Sequence, residues 1–139
     1  MISPDFLQQI IELGPQHEDK LTHLLLNLDR DSRLSRFNCA AKDALLLQHS
    51  RQAMMTTAWL AGIFIDQRLC GVVEVYDMNP PDVVEAALLI DKALRRLGLG
   101  IALLRAAMHW AAEQDRILLR MVFSKSNWPM RGLASRAGA

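Results

Sequence analysis

The chain has 139 residues, 51% hydrophobic and 22% charged, which suits one packed domain over residues 1–139 and excludes a disordered or fibrous chain. Sixteen Lys and Arg against fifteen Asp and Glu leave a net charge of +1, too even for nucleic-acid binding by bulk charge, which needs an excess of cations to release phosphate counterions. Cys39 and Cys70 form no CxxC spacing for zinc or redox work, the longest apolar stretch (Leu97 to Leu104) is too short to span a bilayer, and the N-terminus MISPDFLQ lacks a basic, apolar leader, so a cytoplasmic protein without membrane or metal is expected.

Turn signals at Gly14-Pro15, Asp66-Gln67 and Asn79-Pro80-Pro81-Asp82 cut the chain into short elements. Leu7 to Leu13 alternates as a first strand. Pro15 opens a stretch in which Leu21, Leu24, Leu25 and Leu28 recur at helical spacing. The polar connection DRDSRLSRF has room for a short helix, and Asp43 to Met55 carries the next helical pattern. Trp59 to Asp66 and Leu69 to Met78, two residues apart, have the spacing of an antiparallel hairpin. Val83 to Asp91 follows, and its apolar centre AALLI predicts a strand covered on both faces. From Gly98 a helix is predicted with Ile101, Leu104, Met108 and Ala111 inward and Arg105, His109 and Glu113 outward. Ile117 to Phe123 reads as a strand, and Asn127 as the cap of a last helix with Pro129 in its first turn.

The segment most informative about chemistry runs from Glu85 through Ile90 to Arg95-Arg96-Leu97-Gly98-Leu99-Gly100. A strand that feeds a glycine turn at a helix start gathers free N–H groups, and the helix dipole adds partial positive charge there, so a phosphate or pyrophosphate fits. Leu103 stands where a dinucleotide fingerprint wants Gly or Ala, and no Gly-Lys-Ser/Thr follows for a P-loop. A turn used only for tight packing is the alternative reading of these glycines. The histidines at 17, 23, 49 and 109 are scattered without a partner at motif spacing and read as surface or boundary residues.

The spacing from Ile90 to the turn beginning at Arg95 resembles the acyl-CoA cradle of the GNAT superfamily of N-acetyltransferases, written Q/R-x-x-G-x-G/A. The later pattern Asn127-x-x-Met130-x-x-Leu133-Ala134-x-Arg136-x-Gly138 is similar to another element of that family. Asp31-Ser32-Arg33-Leu34-Ser35-Arg36-Phe37, together with Leu97 and Ala134, most resembles the acetyltransferase domain of bacterial protein-lysine acetyltransferases and their free-standing relatives. The resemblance implies an α/β fold: a mixed, mostly antiparallel sheet of about five strands, splayed at its centre and flanked by helices. Here the chain stops one residue after Gly138, so the family's last two strands are expected to be missing.

What the resemblance implies for the site is specific. Leu97, Gly98, Leu99, Gly100, Ile101 and Ala102 would hold the pyrophosphate of acetyl-CoA, with Arg95 and Arg96 adding charge. The pantetheine arm would pair along Leu88, Leu89 and Ile90, beside Asn127, with an N–H near Ile90 facing the thioester oxygen. A primary amine, from a small molecule or a protein lysine, must lose a proton before it attacks. Glu85 is the first choice as base and Glu74 the reserve. Ala134 stands where many relatives place a tyrosine that protonates the departing thiolate, and the only tyrosine of this chain is Tyr76. Two functions therefore stand side by side: an acetyl-CoA-dependent N-acetyltransferase, and a non-catalytic acyl-CoA-binding or regulatory domain. An uncovered strand at Ile117 to Phe123 would be an apolar edge, which points to a truncated chain or to a homodimer that covers it.

Overall fold

The computed structural model describes residues 10–80, 82–94 and 98–121. Five strands form one sheet in sequence order: β1 (Ile10–Glu12), β2 (Trp59–Ile65), β3 (Arg68–Asp77), β4 (Val83–Ile90) and β5 (Leu118–Met121). The first four are antiparallel to their neighbours, and β5 runs parallel to β4. Four helices flank the sheet: α1 (Glu18–Leu26), α2 (Arg30–Phe37), α3 (Asp43–Thr56) and α4 (Leu99–Glu113).

The hairpin from β2 to β3 turns through Asp66 and Gln67 at φ 50° and 66°, the left-handed pair that matches the twist of two strands joined by two residues. Connecting β4 to β5 in parallel needs a crossover, and α4 supplies it. Strand β3 lies at the centre and is buried from Leu69 to Val75.

The alternation of β3 divides the core in two. Val73 and Val75 point with Ala61, Ile63, Val84, Ala86 and Leu88 toward α4; Val72 points with Leu60 and Leu89 toward α1 and α3. On the α4 side the inward residues are Leu99, Gly100, Leu103, Leu104, Ala107 and Ala111. This corrects the predicted stripe: Ile101 and Met108 are half-buried at its border, because the helix turns its small residues Gly100 and Ala107 to the sheet. Gly71 permits that approach, since a Cβ there would lie 2.8 Å from Ile90 Cδ1 and 3.1 Å from Leu103 Cδ1.

The helix expected from Pro15 begins as one 3₁₀ turn, Pro15–His17, before α1 proper. The polar connection does fold as a helix, α2, with the Asp29 side chain accepting from the Ser32 amide at 3.3 Å. Arg33 then ties this region together. Its guanidinium donates to the carbonyls of Leu26, Leu28 and Ala41 at 2.9–3.0 Å and pairs with Asp43. Of the first predicted strand, the described part is Ile10–Glu12; of the last, Leu118–Met121. The expectations at Asn127 and about the final strands lie outside the described residues. Among the described residues no helix is long and apolar enough to cross a membrane.

Candidate functional site

The turn from β4 into α4 is pinned on both sides before it reaches the glycines. Asp91 pairs with Arg68 and accepts from the Ala93 amide at 3.0 Å, which starts a 3₁₀ turn over Lys92–Leu94. Lys92 Nζ lies 3.2 Å from the Asp29 carboxylate, so the same residue that caps α2 also holds this turn. Gly98 caps α4 at φ 83°, a backbone conformation that disfavours any side chain. Ala102 N donates to Gly98 O at 3.1 Å and closes the first helical turn.

The Ala102 amide is thereby occupied, and the first-turn amides of Leu99, Gly100 and Ile101 have no bonded acceptor among the described residues. No side chain caps α4, and its first turn carries no acidic residue. These features fit an anion such as a pyrophosphate. Arg95, Arg96 and Leu97, also expected at this cradle, lie outside the described residues, as does Asn127.

Strand β4 continues the site. Leu88 and Leu89 are buried on opposite faces and Ile90 is half-buried; all three pair with β3, Ile90 opposite Gly71. On the other edge of β4 the parallel register with β5 runs from Val83–Leu118 to Ala86–Met121, where the described part of β5 ends. The expected splaying of β4 from β5 beyond that point involves residues outside the described ones.

The two predicted carboxylates share the sheet face covered by α1, α2 and α3, but their surroundings differ. Glu85 is opposite Tyr76 on β3 and Arg120 on β5. Arg120 Nη2 and Nε donate to its Oε2 at 2.9 and 3.2 Å, and its side chain stays 30% exposed. Glu74 is fully buried, between Leu60 on β2 and Ala87 on β4. Its Oε1 takes the Arg36 guanidinium and the Tyr76 hydroxyl, the latter at 3.3 Å, and its Oε2 faces His49 Nε2 at 2.7 Å. Burial alone would raise this carboxyl, but the His49 hydrogen bond and the Arg36 charge outweigh it and hold Glu74 below the ordinary carboxylate range. A carboxylate so occupied is a poor proton acceptor and a good anchor. The Tyr76 phenol is pushed well above its usual value, first by burial and then by the Glu74 charge, so it holds its proton.

His49 corrects an expectation. Read as an unpartnered boundary residue, it is tied to a buried carboxylate 25 positions away and packs edge-on against Phe37, with ring centroids 5.0 Å apart. Arg36 entered the sequence reading only as part of a resembling segment, and the structure turns it onto Glu74. No spacing rule signals either contact, because α2, α3 and β3 meet only on folding.

The sequence matches the profile of the acetyltransferase (GNAT) family over residues 22–139. This chain belongs to the GNAT family. No protein of curated function matches it. Among solved structures, the GNAT domain of S. lividans PAT superimposes with a TM-score of 0.81 at 16% identity, over 93% of this chain and 79% of that one. The aminoglycoside antibiotic 6'-N-acetyltransferase AAC(6')-IG from Acinetobacter haemolyticus gives 0.69 at 15%, over 94% and 89%. AAC(6')-Iy, solved with the bisubstrate analogue CoA-S-monomethyl-acetylneamine, gives 0.71 at 15%, over 93% and 88%. At these identities the likeness is one of fold, and it agrees with the mixed five-strand sheet and its flanking helices. GNAT proteins use acetyl-CoA, and the uncapped start of α4 is the part of this structure whose chemistry suits that anionic co-substrate.

Proposed function

We propose that this GNAT protein is an acetyl-CoA-dependent N-acetyltransferase that moves the acetyl group to a primary amine of a small molecule or a protein lysine. The observation that carries this reading is the continuity of one strand: β4 bears Glu85 near its start and leads, through the pinned turn at Asp91, to the Gly98 cap of α4. An anion on the α4 amides and an amine at Glu85 would then bracket the length of β4. At about 3.3 Å per residue, Glu85 lies about 10 Å before Leu88, within reach of an amine and a bridging water.

In the reaction so proposed the amine arrives as an ammonium and gives one proton to Glu85, whose Oε1 has no partner among the described residues. Its lone pair attacks the thioester carbon in a ternary complex, and an N–H of β4 near Ile90 faces the developing oxyanion. The C–N bond forms and the C–S bond breaks. Coenzyme A leaves as a thiolate that takes a proton from water, and the second proton of the attacking nitrogen passes to solvent. Glu74, locked by three partners, holds the wall of the site.

A second reading is favoured by Tyr76. The only tyrosine donates its hydroxyl to Glu74, so it does not replace the thiolate-protonating tyrosine of many relatives, and a domain that binds acyl-CoA without turnover is the alternative. Calorimetric titration with acetyl-CoA, followed by thiol release across a panel of amines, separates the two. Saturable binding with amine-dependent thiol release supports the transferase; binding with release no faster than spontaneous hydrolysis supports the binding domain.

A further inference from the structure

Glu85 and Arg120 are register partners on β4 and β5, and both guanidinium bonds fall on one carboxylate oxygen, Oε2. Among the described residues, Glu85 Oε1 and Arg120 Nη1 have no partner, and the two side chains are 30% and 49% exposed. Tyr76, the third residue of this row, turns its hydroxyl to Glu74 instead. The row therefore offers a ligand one free carboxylate oxygen beside one free guanidinium edge.

We propose that Glu85 and Arg120 together form the acceptor subsite, and that it takes an amine with a carboxylate on the neighbouring carbon, an α-amino acid. The ammonium sits on Glu85 Oε1 and the carboxylate on Arg120 Nη1, where charge-assisted hydrogen bonds favour both. This rests on the transferase reading above and names its substrate class. The resting pair is neutral and so is the zwitterion, so every charge keeps a counter-charge when the acceptor enters. An amine without the carboxylate arrives as a bare cation next to Arg120, and like charges at such a separation cost on the order of tenfold in affinity. A polyamine brings more positive charge and is turned away more strongly.

The test pairs three amino acids with the amines that lack only the carboxylate: lysine with cadaverine, phenylalanine with 2-phenylethylamine, and alanine with ethylamine. Thiol release from acetyl-CoA gives kcat/KM, and calorimetry on the CoA-saturated protein gives affinity without need of turnover. We expect each amino acid to exceed its amine by about tenfold or more in both readouts. Arg120→Gln abolishes that preference, read as the ratio of amino acid to amine within each pair whatever the change in absolute rate, and Arg120→Lys keeps part of it; circular dichroism establishes that both variants are folded. Equal treatment of the pairs, an Arg120→Gln effect that falls equally on both members, or binding of neither member overturns the subsite. Arg120-dependent binding of amino acids without thiol release leaves the subsite standing and sinks the transferase. Thiol release that ignores the carboxylate does the reverse.

Discussion

His49 Nε2 lies 2.7 Å from Glu74 Oε2, joining α3 to the middle of the sheet across a chain separation of 25 residues. A carboxylate with no exposed surface is tolerated only when it is paired and hydrogen-bonded, and Arg36, His49 and Tyr76 provide that on two oxygens. The same contacts draw α2 and α3 onto the face of the sheet that carries Glu85. The contrast between the two carboxylates, one enclosed and one reachable, governs what each substitution does.

Glu74→Gln leaves the Arg36 guanidinium without its counter-charge and is expected to cost about 3 kcal/mol of stability, read by urea denaturation. Glu85→Gln changes stability by less than about 0.5 kcal/mol, as a half-exposed strand residue, and lowers amine-dependent thiol release by about 10²-fold or more. The reverse ordering would exchange the roles given to the two residues.

Acid stability follows from the depressed Glu74 carboxyl. A folded-state value below the unfolded one adds stability that is fully present above the ordinary 4.5 and is lost as pH falls through the folded value. Wild-type stability therefore declines below about pH 4.5, and Glu74→Gln flattens that slope. Parallel slopes in the two proteins would place the acid sensitivity elsewhere.

Asp29 behaves similarly at a helix cap. Its hydrogen bond from Ser32, with help from Lys92, holds its carboxyl down to about 2, so the α2 cap keeps its charge from neutral pH to well below 3.8. Asp29→Ala should cost about 1 kcal/mol at pH 7, and the difference from wild type should shrink as the pH falls below 3.8 and reach its minimum only below about 2. Because Lys92 stands in the turn after β4, acetyl-CoA affinity should fall in the same variant; an unchanged affinity would show that the turn is held without this contact.

Gly98→Ala forces a side chain onto φ 83° and is expected to cost about 1 kcal/mol. Gly98→Asp adds a carboxylate where the α4 amides await an anion, and acetyl-CoA affinity should drop by more than the alanine variant loses, by about tenfold. Equal affinity in both variants would mean that the glycine serves packing alone.

Tyr76→Phe removes a hydroxyl that holds its proton throughout the working range. Turnover should stay within about threefold of wild type, with the same pH profile, since a hydroxyl that donates to Glu74 is not the acid for a thiolate. A loss of 10²-fold would make Tyr76 the missing acid.

The sequence by itself determined the order of elements, the GNAT membership and the glycine start of α4, because these depend on local signals: apolar, β-rich runs cut by turn residues in β2 to β4, leucine spacing in α1, and the fixed step from Ile90 to Gly98. The resemblance to GNAT sequences also pointed to Glu85 as the base, with Glu74 as the reserve. Only the tertiary structure decided which of them is reachable. Arg36 and His49 reach Glu74 from two helices, and Arg120 reaches Glu85 from a strand that returns only after α4 has crossed over. The stripe of α4 shifted for a related reason: periodicity gives a helix an apolar side, but the side chain missing at Gly71 leaves the space that Leu103 occupies on the sheet. Local pattern fixes what a segment becomes, and the charge partner of a side chain is set by whichever elements are packed over it.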